Sequence, residues 1–244
     1  MKWRALSQLS EDARSLSYPR GNAGYASRVV ADLTSLGVEE VAVSDEGRPL
    51  MLGKGFRNAV FLVRRGGEAL AAKVRRDDWP HDDVWREARV HGAANAVGVG
   101  PRLRGSAGRV LLMEVVEGTK LADWLPAAGW EEVVAVLGSL LRQCRALDAA
   151  GIDHGELSDP SKHVVITRGS SVVIIDFGSA RFALRPKNVT SIAGFIARRL
   201  ARDALLRAGL NPSVEPEVLR RYKRTLSEED FLAVLRSIGL ERGR

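Results

Sequence analysis

Three side chains able to handle phosphate, metal or proton chemistry stand at the ends of two short apolar runs. Glu156 follows Asp153-His154-Gly155, and His163 follows Lys162 and precedes Val164-Val165-Ile166. Asp176 closes Val172-Val173-Ile174-Ile175 and is followed by Phe177-Gly178. Two β-branched runs joined by Arg168-Gly169-Ser170-Ser171 read as a β-hairpin. The outer ends of a hairpin meet in space, so Glu156, His163 and Asp176 are expected at one site. A carboxylate there can act as an oxygen ligand for a hard dication or as a proton acceptor. Asp153 and Asp159 are further acids of the same loop, read either as an extra oxygen ligand or as loop caps.

A second group lies upstream. Leu50-Met51-Leu52 leads into Gly53-Lys54-Gly55-Phe56-Arg57-Asn58, and Ala59-Val60-Phe61-Leu62-Val63 leaves it. Glycines between two strands let backbone N–H groups come close to phosphates. Asn58 stands where a third glycine would complete the loop, and Asn tolerates positive φ. After a turn at Arg65-Gly66-Gly67-Glu68, the strand Ala69–Val74 carries Lys73 as its one charge. A helix over 81–96, opened by Pro80, carries Glu87 on the side of Val84, Ala88 and His91. That side faces inward and puts Glu87 in reach of Lys73. Asp82 and Asp83 read as exposed helical acids.

The remaining elements must hold these groups. Helices are expected over 5–17 and 23–36, the second ended by Gly37, as an appendage or half of a winged-helix module. A strand over 38–43 follows, and two more over 102–106 and 109–115. A short helix covers 121–125. Val133, Leu137, Leu140, Leu141, Cys144 and Leu147 form one apolar stripe on a helix over 130–150. Asn188 is expected to cap a helix over 189–208 ended by Gly209, and two shorter helices cover 215–224 and 227–238.

The 244 residues are 45% apolar and 27% charged, which suits a globular chain with a sizeable core. No apolar run approaches the ~18–20 residues that cross a bilayer. No apolar segment of about 7–15 residues follows the basic start, so a cytoplasmic protein is expected. The single Cys144 excludes an internal disulfide and a cysteine-based zinc site, and its place on the stripe makes it a core residue. Residues 181–244 hold 14 Lys/Arg against 7 Asp/Glu and account for the whole net charge of +7. Such a surface suits RNA or a ribonucleoprotein, an acidic protein face, or plain solvation.

In order, the chain presents a Gly-rich hairpin, a strand lysine, a helix glutamate, an apolar helix, a His-Gly-acid loop, a hairpin and Asp-Phe-Gly. This order resembles the protein-kinase fold. It is more closely similar to the small atypical kinases of the RIO and Bud32 type, which use His-Gly-Asp. The nearest likeness is to a group of archaeal serine/threonine kinases with a Gly-Glu-Leu loop. The resemblance covers about residues 50–205. It implies an α+β, two-lobed fold with a small antiparallel-sheet N-lobe over 48–117 and a reduced helical C-lobe over 118–244. Residues 1–47 would be a helical extension. It also implies ATP and Mg²⁺ as cofactors, bound in the cleft between the lobes. Gly53 and Gly55 would cover the phosphates, Lys73 would bind them and pair with Glu87, and Glu114 to Val116 would read adenine. Asp176 would hold Mg²⁺, and Glu156 would act as base or hydroxyl positioner toward a protein serine or threonine, autophosphorylation included.

Two residues depart from the family pattern. Glu156 stands where the family has Asp, and its extra methylene moves the carboxylate by about 1.5 Å, where a 1 Å error can cost ~10²-fold in rate. The metal-binding Asn is replaced: the loop is about two residues longer and ends at His163, a poor Mg²⁺ ligand. His163 would then contact phosphate or hold the loop, and Lys162 would neutralise γ-phosphate charge. The short segment after Gly178 leaves no room for a phosphorylation-gated loop. Three alternatives stand beside the kinase: a slow ATPase switch on a ribonucleoprotein, a small-molecule phosphotransferase, and a non-catalytic nucleotide-binding module.

Overall fold

The computed structural model describes residues 2–9, 11–80, 84–200, 206, 210–211 and 214–241, with only the backbone of Glu11 and Asp12. The fold is mixed α+β, with an antiparallel sheet in the N-terminal part and helices in the C-terminal part, as expected and compatible with a kinase-like chain. Two compact units result: Met1–Arg89 with Pro101–Val115, and Val90–Gly100 with Val116–Arg244.

In the first unit the described residues form one seven-stranded sheet. Its order is β1 (Lys2–Ala5), β2 (Glu40–Val43), β4 (Asn58–Arg65), β5 (Glu68–Arg75), β7 (Val110–Glu114) and β6 (Leu103–Ala107). Strand β3 (Met51–Lys54) also pairs with β4, beyond the stretch that pairs with β2. Side chains alternate across a strand, so the two faces differ. Phe61 and Val63 of β4, Leu70, Ala72 and Val74 of β5 and Leu112 of β7 pack on Tyr25, Ala26, Val29 and Leu33 of α1 (Ala23–Ser35). Leu111 turns to the other face and packs with Val84 and Ala88, at the start of α2 (Trp85–Ala96). Lys73 pairs directly with Leu111 across β5 and β7, so it shares that second face.

The second unit is built on α4 (Trp130–Ala149), which follows the short α3 (Leu121–Trp124). The six predicted stripe residues of α4 are all buried in one cluster. They share it with Ile192 and Ile196 of α5 (Asn188–Arg199), Tyr222 of α6 (Pro216–Thr225) and Phe231 of α7 (Glu228–Ile238). The hairpin is present: β10 (Val164–Ile166) pairs antiparallel with β11 (Val172–Ile174), Val164 opposite Ile174. Strand β8 (Thr119–Lys120) adds to β10, and β9 (Ile152–Asp153) pairs with β12 (Arg181–Phe182). Among the described residues no helix is long and apolar enough to cross a membrane.

Several local expectations change. The helix over 5–17 is instead β1 followed by 3₁₀ turns over Leu6–Gln8 and Glu11–Leu16. Leu6, Leu9, Ala13 and Leu16 are buried, a spacing that the 3₁₀ turns satisfy as well as an α-helix would. β1 and β2 extend the sheet and α1 covers its apolar face, so residues 1–47 fold within the first unit rather than as a helical appendage. Asn58 does not take positive φ: it lies in β4, buried, and its Oδ1 accepts from Arg75 Nη1 at 3.0 Å. The start expected for α2, with Asp82 and Asp83, and the stretch 201–205 and 207–209 with Gly209 lie outside the described residues. Lys187, not Asn188, is the cap of α5.

Cys144 is fully buried, and burial pushes its thiol well above the ordinary range. A maleimide reagent at pH 8 should therefore leave Cys144 unmodified in the folded protein and label it fully in urea. Rapid labelling without denaturant, read by mass spectrometry, would contradict the packing of α4.

Candidate active site

In the first unit Lys73 Nζ lies 2.5 Å from Glu87 Oε1, and both side chains are about 5% exposed. Strand alternation turns Lys73 toward α2, and Glu87 sits in the first turn of that helix on the side of Val84 and Ala88. Glu87 Oε2 is buried with no hydrogen-bond partner among the described residues. A buried ammonium–carboxylate pair of this kind is a charge-assisted hydrogen bond, stronger than a neutral one.

In the second unit Glu156, His163 and Asp176 offer ligand atoms within 4.8 Å of one another. The ladder places two of them. The Ile175 N–H donates to the His163 carbonyl at 2.8 Å, continuing the β10–β11 pairing by one residue beyond Val164 and Ile174. His163 and Asp176 thus leave the hairpin side by side. The third is placed by Gly155, which has φ +87° and whose missing Cβ would stand 2.8 Å from the Ser179 carbonyl. Only glycine fits both conditions, and the chain passes close enough for the Ser179 hydroxyl to donate to Glu156 Oε1 at 2.5 Å. His163 Nε2 lies 2.8 Å from Glu156 Oε2. Asp176 is exposed, takes a left-handed φ of +67°, and accepts from the Gly178 N–H at 3.2 Å. Such a backbone outlier in a non-glycine residue marks a place worth a functional reading.

The loop carrying Glu156 hangs on buried polar groups. His154 is wholly buried, its Nε2 donates to the Ile175 carbonyl at 3.1 Å, and its N–H donates to Asn188 Oδ1 at 3.0 Å. Burial lowers the His154 imidazole below its ordinary range, so the ring is neutral. Asn188 also donates from Nδ2 to the Ile152 carbonyl and to Asp148 Oδ1. Asp148 further accepts from the amides of Asn188 and Val189 and from the Tyr222 hydroxyl. Burial raises Asp148 above the usual carboxylate range despite these donors, and burial beside Asp148 raises the Tyr222 phenol strongly. Phe177 stacks on His91 at 4.8 Å and meets His154 edge-on at 5.2 Å. Ser179, Asp148, Asn188 and Tyr222 escaped the sequence reading as site supports. Tyr222 lies 74 residues from Asp148, and no local pattern links them.

The other predicted residues are placed as follows. Gly53 lies in β3 and Gly55 in the loop to β4, both exposed. Neither takes positive φ, and a Cβ on Gly53 would meet nothing within 4 Å. The fold itself makes no demand for glycine at 53, so the position leaves room for an approaching group. Glu114 ends β7, exposed, with a carboxylate oxygen accepting from the Arg102 N–H. Val116 follows it, just past the boundary between units. Lys162 is exposed in a 3₁₀ turn beside His163. Asp153 accepts from Arg181 Nη2 at 2.6 Å and from the Gly155 N–H, and Asp159 accepts from the Ser161 N–H. The capping role of these two acids is the one the structure displays.

The two carboxylates suit Mg²⁺, which demands oxygen at about 2.0–2.1 Å. The imidazole of His163 does not. The Asp176 carboxylate suits Mg²⁺, and the imidazole beside it departs from that ion's preference.

No family model matches the chain. Over 73 residues, 30% of its length, it is 37% identical to the KEOPS complex subunit Bud32 of Pyrococcus abyssi. The chain matches 32% of that protein's length, about a third of it.

Lys73→Met would strand a buried carboxylate, which costs about 3–5 kcal/mol. Urea unfolding should show that loss, and Lys73→Met/Glu87→Leu should recover most of it. A loss below about 1 kcal/mol, as for an exposed pair, would contradict the buried coupling.

Proposed function

We propose that this chain is an atypical protein kinase that transfers the γ-phosphoryl group of ATP to a serine or threonine hydroxyl, on itself or on a protein acceptor. The observation that carries this is the convergence of Glu156, His163 and Asp176 at the open end of one hairpin. The buried Lys73–Glu87 pair and the likeness to Bud32 support it. Phosphoryl transfer needs little covalent chemistry from the protein; positioning and charge stabilisation dominate.

In this reading the first unit supplies the phosphate grip. Gly53 and Gly55 admit phosphate oxygens to the backbone, and Lys73, held straight by Glu87, donates to them. Glu114 to Val116 offers backbone groups to adenine. The second unit supplies the reacting end. Glu156 orients the acceptor hydroxyl and takes its proton; a carboxylate has about four lone-pair sites, so the bond from Ser179 leaves capacity. Lys162 adds positive charge beside the γ-phosphoryl group. A divalent ion held by Asp176 would, when bound, neutralise charge on the β- and γ-phosphates. His154, tied to Asn188 and Ile175, keeps the Glu156 loop in register with Asp176. The related Bud32 is a subunit of the KEOPS complex, so a protein partner belongs to the proposal, and the basic 181–244 stretch is its proposed contact surface.

A slow ATPase is a second reading, drawn from one observation: Glu156 Oε1 accepts from the Ser179 hydroxyl and Oε2 lies 2.8 Å from His163 Nε2, a polar surround that suits holding a water as well as a hydroxyl. The two readings part in one assay. With ATP labelled at the γ-phosphate, the kinase labels the chain or an added acceptor, whereas the ATPase releases labelled phosphate alone. Glu156→Gln should lower turnover by about 10²–10⁴-fold, the usual range for a positioned base. Asp176→Asn should abolish it, and wild-type labelling in that variant would overturn the assignment. Gly53→Ala should leave unfolding within about 0.5 kcal/mol of wild type, as surface changes do, yet weaken ATP binding several-fold. Unchanged ATP affinity in Gly53→Ala would remove Gly53 from the phosphate site.

A further inference from the structure

The donor set at the end of the hairpin is not that of a magnesium site. It comprises one imidazole nitrogen and two carboxylates, from three separate segments: the turn after β9, the end of the 3₁₀ turn before β10, and the residue after β11. Each segment is fixed by bonds that do not involve the three side chains. Gly155 is locked against Ser179, His163 N–H donates to the Pro160 carbonyl at 3.0 Å, and Ile175 N–H donates to the His163 carbonyl. The convergence is therefore a property of the backbone, present before any ligand arrives.

The His163 ring is the informative member. Its Nε2 lies 2.8 Å from Glu156 Oε2, and both atoms are of the kind that ligate metals. Its Nδ1 is buried without a hydrogen-bond partner among the described residues, so no second bond there fixes the tautomer. The buried ring of His154 meets it edge-on at 5.8 Å and limits its rotation. An ion entering between Nε2 and Oε2 binds Nε2 through its lone pair, and any hydrogen there passes to Nδ1 or to water. Ligands of a small dication stand about 3 Å apart when adjacent and about 4.2 Å when opposite, for bonds of about 2.1 Å. The set, spread within 4.8 Å, needs only a small inward shift. Imidazole suits Zn²⁺, Co²⁺ and their neighbours, whereas Mg²⁺ prefers oxygen and gives up its water reluctantly.

We propose that Glu156, His163 and Asp176 form a mixed nitrogen–oxygen site that binds a first-row transition-metal dication in preference to Mg²⁺, without nucleotide. This deepens the phosphoryl-transfer reading by naming the class of ion for the same site, and it is tested without turnover. Glu156 ligates through Oε2, and Oε1 keeps the Ser179 hydroxyl. Asp176, the exposed member, closes the set from the hairpin side.

Calorimetric titration of the nucleotide-free chain with MgCl₂, MnCl₂ and CoCl₂ tests this, with the visible spectrum of Co²⁺ as a second readout. Affinity should rise in that order, as the general ligand-field sequence places Mn²⁺ below Co²⁺, with Co²⁺ at least about tenfold tighter than Mg²⁺. His163→Asn, which restores an oxygen ligand, should cut Co²⁺ affinity at least about tenfold, narrow the gap to Mg²⁺ and shift the Co²⁺ spectrum. Asp176→Asn should also weaken Co²⁺, and circular dichroism checks that both variants fold. Equal affinity for the three ions, or Co²⁺ binding unchanged in both variants, overturns the proposal. Selective Co²⁺ binding with no phosphoryl transfer under any ion would leave the site standing and refute the kinase reading. Transfer with Mg²⁺ and no selective binding would do the reverse.

Discussion

One backbone hydrogen bond governs the open end of the β10–β11 hairpin: the Ile175 amide to the His163 carbonyl. It carries the β10–β11 ladder one step past its last strand pair and delivers His163 and Asp176 as neighbours. Glu156 joins them because Gly155 allows the chain to lie against Ser179. Two carboxylates so close repel one another in any low-dielectric setting. The imidazole and the hydroxyl beside Glu156 relieve part of that, and a bound cation would relieve the rest. The network of Asp148, Asn188 and Tyr222 then acts at a distance, since it holds His154 and Ile152 rather than any reacting atom.

The first unit depends on a simpler rule. Side chains alternate along β5, so Leu70, Ala72 and Val74 go to α1 while Lys73 goes to the face of α2. A lysine on a buried face needs a counter-charge, and Glu87 in the first turn of α2 provides it. Both sides of the sheet must be covered for this to hold. The N-terminal segment therefore belongs to this packing: without α1 the opposite face of the strand bearing Lys73 would be open to water.

Much of this was legible in the residues. The hairpin showed in two β-branched runs around Gly169-Ser170, α4 in its apolar stripe, and the Lys73–Glu87 pair in a lone charge on an apolar strand and an acid on an inward helix face. What escaped was non-local. The spacing of Leu6, Leu9, Ala13 and Leu16 shows which residues are buried, but not whether the backbone is α or 3₁₀, nor that β1 pairs with β2. Asn58 looked like a residue for a strained turn, yet its side chain serves Arg75 on the adjoining strand. Asn188 read as a helix cap because caps are local, while its bonds reach back to Asp148, Ile152 and His154. Ser179 gave no signal, since a serine after Asp-Phe-Gly is ordinary until its hydroxyl is seen on Glu156.

The proposal turns on Lys73, held by Glu87, gripping the phosphates of ATP. The most direct measurement is affinity labelling with an adenosine sulfonyl fluoride, mapped by mass spectrometry, with ATP and a divalent ion as protectant. The account predicts modification at Lys73 that ATP blocks, and no such ATP-blocked labelling in Lys73→Met. Modification elsewhere, or labelling of Lys73 that ATP leaves unchanged, would contradict it.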